Sequence, residues 1–287
     1  MKFAIIISQQ DIAGLNIKAR LLEKFNFNEQ GVFHNSPIYG YSDNISLFTV
    51  EKELIFSEHL DREIGADLFI FASKHKAESG LHCLTVHTQG NWAKAEFGGY
   101  DRKLCIAPAL YLRKALLRLK RSETDYEITQ ECTHHGPYLD KPSMFIEIGS
   151  TEQEWQDIEA GTIIAETIMY LLLSDIDRAT VGFGIGGPHY MPNFTKLIER
   201  RNIAIGHTCP KYMLQCLDKE MILQAMQKTY DYVDEVILDW KGLGTEKKRI
   251  IALLEEMNID YKRIDLLLKT EHVEKMFKET SKKIKPE

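Results

Sequence analysis

The segment ECTHHGPYLD, residues 131–140, places an acid, a thiol and two adjacent imidazoles directly before a Gly-Pro pair. Imidazole is the commonest metal ligand among side chains, and a neutral imidazole near pH 7 can also act as a general base that activates water. The chain contains ten histidines, so one adjacent pair arises by chance often enough to decide little. The surroundings of the pair must therefore indicate its chemistry.

Other polar residues recur where short apolar runs end. They follow the runs LFIFA, LTV, GFGIGG, IAIG and EVIL, and they are Lys74-His75, His87, His189, His207 and Asp239-Trp240-Lys241. If each run is a strand, these positions fall at strand ends, where α/β folds gather their ligands. The pattern predicts one convergent site, with a hydrogen-bonded core role as the alternative for each single histidine.

The elements that would hold these residues alternate along the chain. Apolar or β-branched runs such as KFAIIIS (2–8), ADLFIFAS (66–73) and SMFIEIGS (143–150) are interspersed with amphipathic helical patterns. This alternation predicts a three-layer α/β fold, with a mixed, largely parallel sheet and helices on both faces. No linker or repeat interrupts residues 1–287, which we expect to form one catalytic unit, alone or with a closely packed α/β subdomain.

Strand geometry makes a specific prediction for the histidine pair. In a strand over EITQECTH (127–134), Glu131, Thr133 and His135 would share one face, and Cys132 and His134 the other. We therefore expect one histidine to face the site while its neighbour packs, unless the strand ends first. Glu147, opposite Met144, Ile146 and Ile148, is a candidate outer carboxylate that orients a ligand.

Composition limits the class of protein. The net charge of −6 argues against a protein coated with nucleic acid, and the longest apolar stretch (162–174) is too short to span a membrane. Five cysteines without a CxxC motif favour reduced thiols in the cytoplasm. A basic helix at 107–122 carries Arg113 and Arg118 and is a candidate RNA contact, with a solvated flank as the alternative. The terminal KKIKPE is interpreted as a frayed tail.

Six segments in order resemble the motif series of the archaeal- and plant-type D-aminoacyl-tRNA deacylases. They are SKHKAESGLHCLTVHTQGNW (73–92), ECTHHGP (131–137), FIEIGSTEQEW (145–155), GIGGPHYMPNFT (184–195), GHTCPKY (206–212) and LDWKGL (238–243). The resemblance implies a cytoplasmic, monomeric, zinc-dependent hydrolase of the ester that joins a D-amino acid, such as D-tyrosine, to tRNA. The products would be free tRNA and the D-amino acid.

The polar motif positions become the predicted site under this resemblance. Catalytic roles are inferred for His87, Glu131, His134, His135 and Lys241. Substrate contacts are inferred for His75, Gly186, Gly187, Tyr190 and Asp239, with the amides of the two glycines or Lys241 stabilising the oxyanion. Phosphate contacts are inferred for Lys74, Arg113 and Arg118. The zinc ligands are sought among His87, His134, Glu147, His189 and His207.

Three other functions use the same residues differently. A metal-dependent amidohydrolase or peptidase would act on a small molecule without RNA. A non-catalytic RNA-binding protein would show affinity without turnover, and it leaves the histidines at strand ends unexplained. A peptidyl-tRNA hydrolase would cleave N-blocked rather than free aminoacyl-tRNA.

Overall fold

The computed structural model describes residues 1–77 and 80–269, and the KKIKPE tail lies outside them. Two sheets organise this part of the chain, one of eight strands and one of four. No helix within it combines the length and the apolarity needed to cross a bilayer.

The larger sheet is mixed and has the order β2-β3-β4-β1-β5-β8-β6-β7. Its parallel pairs join β1 to β4 and β5, β5 to β8, and β6 to β7, whereas β6 runs antiparallel to β8 and β2–β4 form an antiparallel meander. The strands are β1 (Phe3–Ser8), β2 (Asn28–Phe33), β3 (Ser36–Ser42), β4 (Ile45–Val50), β5 (Leu68–Lys76), β6 (Cys83–His87), β7 (Glu127–Gln130) and β8 (Ser143–Ser150).

The smaller sheet is fully parallel and has the order β10-β9-β11-β12. Its strands are β9 (Thr180–Ile185), β10 (Ile203–Cys209), β11 (Glu235–Leu238) and β12 (Tyr261–Arg263). The α-helices that accompany the two sheets include α1 (Ile12–Lys24), α2 (Ala109–Leu119), α3 (Glu152–Trp155), α4 (Ile158–Leu173), α5 (Pro192–Arg200), α6 (Lys219–Gln227) and α7 (Lys247–Glu256).

The core follows the twofold alternation of the strands. In β1, Phe3, Ile5 and Ile7 join a cluster with α1, α2 and α4, whereas Ala4 and Ile6 join a second cluster on the opposite face of the sheet. Leu54, Leu60 and Ile64 are among the residues that cover this opposite face of the sheet. The candidate active site lies on the same face. The α/β class with a mixed, largely parallel sheet is confirmed.

Two elements differ from the sequence prediction. The helix predicted from residue 150 or 151 through 173 is divided into α3 and α4, because Asp157 caps a new start by accepting a hydrogen bond from Glu159 N (2.8 Å). The predicted capping box of Thr151 and Glu154 is present. The strand predicted over 127–134 ends at Gln130, and this difference reshapes the site.

Candidate active site

One face of the larger sheet changes from apolar to polar along β5. Phe69 and Phe71 belong to the core of this face, and Ser73 and His75 continue the same alternation toward the end of the strand. Neighbouring β8 contributes Phe145 and then Glu147, which is paired in register with Ser73. His87 ends β6 opposite Phe145. The strands thus bring His75, His87 and Glu147 together above a wall of phenylalanines.

The segment after β7 supplies the histidine pair to this group. One ring nitrogen from each of His87, His134 and His135 lies within 4.8 Å of the other two. The Nδ1 atoms of the three rings lie 3.2, 2.8 and 2.5 Å from the backbone oxygens of Thr88, Cys132 and Gly136. A carbonyl can only accept a hydrogen bond, so each Nδ1 carries a proton, and a ring that is neutral then keeps its lone pair on Nε2. This is the tautomer that a metal-binding histidine requires.

The prediction that only one of His134 and His135 faces the site is wrong. Since β7 ends at Gln130, the strand alternation no longer applies to residues 131–135. Cys132 N donates to His189 O (2.9 Å), which follows β9, and Thr133 N donates to Thr208 O (3.1 Å) in β10, whereas His134 forms only an isolated bridge with Gln89 after β6. His135 adopts a left-handed conformation with φ of 43°, which turns its ring toward His87.

Glu147 is the carboxylate that reaches the cavity beside the three histidines. Its Oε1 accepts a hydrogen bond from Ser73 Oγ (2.5 Å), and its Oε2 lies 3.3 Å from His87 Nε2 and 3.6 Å from His75 Nδ1. His75 Nε2 in turn contacts the Tyr190 hydroxyl at 3.0 Å. Glu147 is therefore held in place by direct contacts rather than acting only as an outer orienting group.

Glu131 is fully enclosed behind the cavity wall and organises several imidazoles. Its Oε1 lies 3.2 Å from His75 Nδ1, and its Oε2 lies 2.7 Å from His189 Nε2 and 3.5 Å from His134 Nε2. His189 Nδ1 also meets the Tyr212 hydroxyl (3.1 Å) and Cys132 Sγ (3.5 Å). Both nitrogens of His189 are thus already engaged within the protein.

Burial and neighbouring side chains shift the pKa values of these groups in different directions. Burial lowers the pKa of His135 to about 4 and that of His134 well below its ordinary value, so both are neutral at pH 7. For His189, burial opposes the charge, but the contacts with Cys132 and Glu131 outweigh it and raise the pKa to about 10. The neighbouring imidazoles outweigh burial to lower the pKa of both Glu131 and Glu147. Neutral donor nitrogens therefore lie beside ionised carboxylates.

Two buried atoms at the centre support the fit of a metal ion. Nε2 of His87 and Oε1 of Glu131 are shielded from solvent and have no well-directed hydrogen bond within the described residues. An unpartnered buried polar atom is costly, and coordination to a cation would satisfy it. Nitrogen and carboxylate donors of this kind are the set that zinc prefers.

The cluster forms the floor of a cavity of about 1100 Å³. His75, His134, His135, Glu147 and His189 reach its surface, whereas His87 and Glu131 lie behind them. The remaining wall combines large apolar groups with charged groups of both signs, and includes Trp92, Phe97, Trp155, Met213, Lys74, Lys76, Lys94, Asp11, Glu53, Glu96 and Glu152. A polar floor with apolar walls is typical of a small-molecule or nucleotide site.

His207 is a structural histidine, which corrects its prediction as a zinc ligand. It is completely buried. Its Nδ1 contacts Thr133 Oγ1 at 3.1 Å, and its Nε2 lies 3.0 Å from Cys105 O and 3.1 Å from Lys228 O. Because both nitrogens are engaged, neither is available to a metal ion.

The glycine run also holds the fold rather than the substrate. The amides of Gly186 and Gly187 donate to Cys209 O (2.8 Å) and Gly242 O (3.4 Å), and an oxyanion contact from them stays a prediction. Asp239 accepts hydrogen bonds from Asn193 Nδ2 (2.9 Å) and Gly242 N (3.1 Å), which identifies a loop-fixing role instead of a substrate contact. Lys241 is exposed and lies outside the cavity wall, which separates it from the reacting centre.

Of the three residues predicted to contact RNA, one lies at the cavity and two lie elsewhere. Lys74 lines the cavity, 5.6 Å from the centre of the Trp155 ring and 3.7 Å from Glu53. Arg113 and Arg118 lie on α2 away from the cavity wall, and Arg118 approaches Glu166 of α4 at 3.8 Å. Contact of these two arginines with tRNA stays a prediction.

Several cavity residues were absent from the sequence prediction. Ser73, Trp92, Phe97, Trp155 and Tyr212 all reach the site. Ser73 lies in phase with His75 on β5, so the twofold period of the strand contained that signal. The others come from loops or from a short helix, where no periodic pattern fixes the direction of a side chain.

Comparison with known proteins gives a consistent result. Residues 62–262 match the sequence profile described as D-aminoacyl-tRNA deacylase. The chain is 38% identical over 270 residues to the D-aminoacyl-tRNA deacylase of Thermococcus kodakarensis, covering 90% of this chain and 98% of that protein. It is 39% identical over 272 residues to the protein of the same name from Thermococcus onnurineus, with the same coverage of both.

A solved structure supports the fold independently. The crystal structure of a conserved protein of unknown function superposes with a TM-score of 0.85 and 30% sequence identity. The match covers 93% of this chain and 97% of the other. The arrangement of two sheets is thus shared along nearly the whole chain.

Proposed function

The chain belongs to the D-aminoacyl-tRNA deacylase family, and from that premise we propose that the histidine–glutamate cluster is where it hydrolyses the ester of D-aminoacyl-tRNA. The observation that carries this assignment is the convergence of ring nitrogens from His87, His134 and His135 and of the Glu147 carboxylate at one cavity. The family match does not favour the small-molecule amidohydrolase.

We propose His87, His134 and His135 as the residues that would hold a zinc ion. Their Nδ1 atoms are fixed by backbone carbonyls, which leaves the opposite nitrogens for coordination. Groups that include His189 are less suitable, because both nitrogens of that ring already contact other side chains. A bound zinc ion would polarise the ester carbonyl and lower the pKa of bound water.

Glu147 is placed to move the proton of the attacking water. Its Oε2 would accept that proton as the water oxygen adds to the ester carbonyl carbon. The same proton would pass to the ribose oxygen as its bond to the carbonyl carbon breaks, which leaves Glu147 ionised again. Ser73 and His75 hold the carboxylate in position from opposite sides.

Selection of the D form would depend on stiff walls around the ester. The indole nitrogens of Trp92 and Trp155 donate to Thr133 O and His75 O, both at 3.1 Å, so both rings are fixed to backbone beside the cluster. Rigid walls exclude the wrong stereoisomer by steric clash. Steric exclusion gives higher selectivity than a difference in attractive contacts does.

Zinc binding by the His135→Ala variant tests the ligand assignment. We expect its zinc affinity, measured by equilibrium dialysis with metal analysis, to fall by more than the ~10- to 100-fold that loss of an outer partner costs. His207→Gln, which removes a buried imidazole outside the cluster, is the matched control and should bind zinc like the wild type. If His189→Ala loses zinc while His135→Ala retains it, the ligand assignment is wrong.

The cysteines bear on the cellular location of the protein. The five cysteines lie within the described residues and all are free thiols, which favours a reducing compartment such as the cytoplasm. The monomeric state stays a prediction.

A further inference from the structure

The loop of residues 93–103 is tied firmly to the wall of the cavity. Gly136 N donates to Phe97 O (2.8 Å), and Asn91 Nδ2 donates to Gly98 O (2.9 Å). The carboxylate of Glu58 accepts hydrogen bonds from Gly99 N (2.6 Å) and from Tyr138 N. These contacts attach the loop to three separate parts of the chain.

Two glycines allow this close approach. Gly98 has φ of 70°, and a Cβ there would lie 1.7 Å from Ile55 O. Gly99 has φ of 77°, and its Cβ would lie 2.6 Å from Asn91 Nδ2. Both backbone conformation and space therefore require glycine, and the backbone that presents the preceding residue, Phe97, is fixed.

Phe97 is nevertheless 61% exposed. Single exposed apolar residues are common on protein surfaces, so exposure alone indicates nothing. The position of Phe97 is more informative, because it lines the cavity that contains His134, His135 and Glu147. Its carbonyl also accepts a hydrogen bond from the residue that directly follows His135, which fixes the backbone of Phe97 beside the segment that carries the histidine pair.

The chemistry of the substrate provides a matching group. In an aminoacyl-tRNA the ester oxygen belongs to the ribose of the last nucleoside, and the base is attached to that same ribose. When the ester carbonyl lies at the cluster, the terminal base must therefore lie about one sugar away. An aromatic ring at that distance offers a stacking surface for any base.

Lys94 adds the complementary charge. It lines the same cavity from the same loop and forms no ion pair with residues 1–77 or 80–269. Single-stranded nucleic acid is typically bound by aromatic rings for the bases and cations for the backbone.

We propose that Phe97 is the stacking platform for the 3′-terminal base of tRNA, with Lys94 facing the last phosphate. This inference rests on the proposed function, since it assigns the nucleotide part of the same substrate. It makes Phe97 a substrate-positioning residue that acts on the base and not on the amino acid.

Hydrolysis by variants gives the first test. Phe97→Ala should lower kcat/KM for D-tyrosyl-tRNA by about 5- to 150-fold, the range for loss of one base–aromatic stack. Most of this loss should appear in KM, and Phe97→Trp should stay close to the wild type. Phe56→Ala removes a phenylalanine that is 46% exposed outside the cavity wall and should change nothing.

The amino acid distinguishes stacking from a side-chain pocket. The loss caused by Phe97→Ala should be the same for D-tyrosyl-tRNA and D-alanyl-tRNA, because both carry the same terminal base. A loss confined to the D-tyrosyl ester would show that Phe97 holds the amino-acid side chain, and it would overturn the proposal.

Binding of uncharged tRNA, with and without its terminal adenosine, separates this inference from the catalytic one. Removing the adenosine should weaken wild-type binding by about 5- to 150-fold and leave the affinity of Phe97→Ala unchanged. An equal effect on both proteins would refute the stacking role. Because no turnover is needed, this result stands even if wild-type deacylation, measured separately, were absent.

Discussion

At the scale of single residues, Glu147 is the group whose removal best isolates proton transfer. The Glu147→Gln variant keeps the size of the side chain and an acceptor for Ser73, but it cannot take a proton from water. We expect kcat for D-tyrosyl-tRNA hydrolysis to fall by about 10²- to 10⁴-fold with little change in KM, the usual range for loss of a general base. Single-turnover kinetics would measure the chemical step directly.

Glu166→Gln is the matched control for this variant. Glu166 is a partly exposed carboxylate on α4 that approaches Lys24 at 2.7 Å and lies outside the cavity wall. Its replacement should leave kcat unchanged. If Glu147→Gln instead raised KM with kcat intact, Glu147 would be a binding group and Glu131 would become the candidate base.

Some of the residues of the site could be predicted from the sequence. His75, His87 and Glu147 were predictable because each lies in or at the end of a strand whose apolar pattern sets the direction of its side chain. His207 has the same apparent setting on β10, yet its ring points into the contact between β10 and residues 105 and 228. A sequence alone does not tell which face of a strand meets a second sheet.

At the scale of elements, His207 predicts how stability depends on pH. Burial lowers its pKa to about 4, below the value of 6.5 for an accessible imidazole. Between these values the unfolded chain binds the proton and the folded chain does not, so the free energy of unfolding must decrease as the pH falls from about 6.5 to 4. Over this interval His207 accounts for a decrease of about 3 kcal/mol in the free energy of unfolding.

Denaturant unfolding of wild type and His207→Gln at pH 7 and pH 4 measures this share. The glutamine cannot titrate, so the variant should lose about 3 kcal/mol less than the wild type over that interval. Thermal denaturation at both pH values provides a check. A parallel loss in both proteins would mean that His207 is not held neutral by the fold.

Elements also explain why the segment 131–135 was predicted incorrectly. The pattern EITQECTH fits a strand, but Cys132 and Thr133 bond to His189 and Thr208, and only an isolated bridge between His134 and Gln89 continues the pairing beside β6. The contact between two sheets thus ends β7 early and directs both histidines inward. Such a contact depends on residues some 60 to 80 positions away and leaves no local signal. The sequence prediction also did not include the strands β2–β4. These strands form the edge of the larger sheet opposite β7.

At the scale of the whole molecule, the net charge of −6 requires tRNA to be attracted locally. Lys74, Lys76 and Lys94 lie in the cavity wall among acidic side chains, and we expect these lysines to provide that attraction beside the site. We expect log(kcat/KM) for D-tyrosyl-tRNA to fall linearly with log[salt], by about 0.7 for each phosphate contact on a single strand. Lys94→Ala should reduce this slope by about 0.7.

Lys248→Ala on α7 is the control for the salt experiment, because that lysine lies outside the cavity wall. It should leave the slope unchanged. A slope near zero for the wild type would contradict recognition through phosphates at the cavity.

The most direct test of the proposed function compares the rates at which D-tyrosyl-tRNA and L-tyrosyl-tRNA are hydrolysed. Each rate is measured with bound metal present, after chelation, and after zinc is restored. We expect fast cleavage of the D ester alone, loss of that activity on chelation, and recovery with zinc. That result would connect the three histidines, the stiff walls and the family assignment in one experiment. Equal cleavage of both esters would contradict the walls as the source of chirality, and activity that survives complete metal removal would contradict the zinc site.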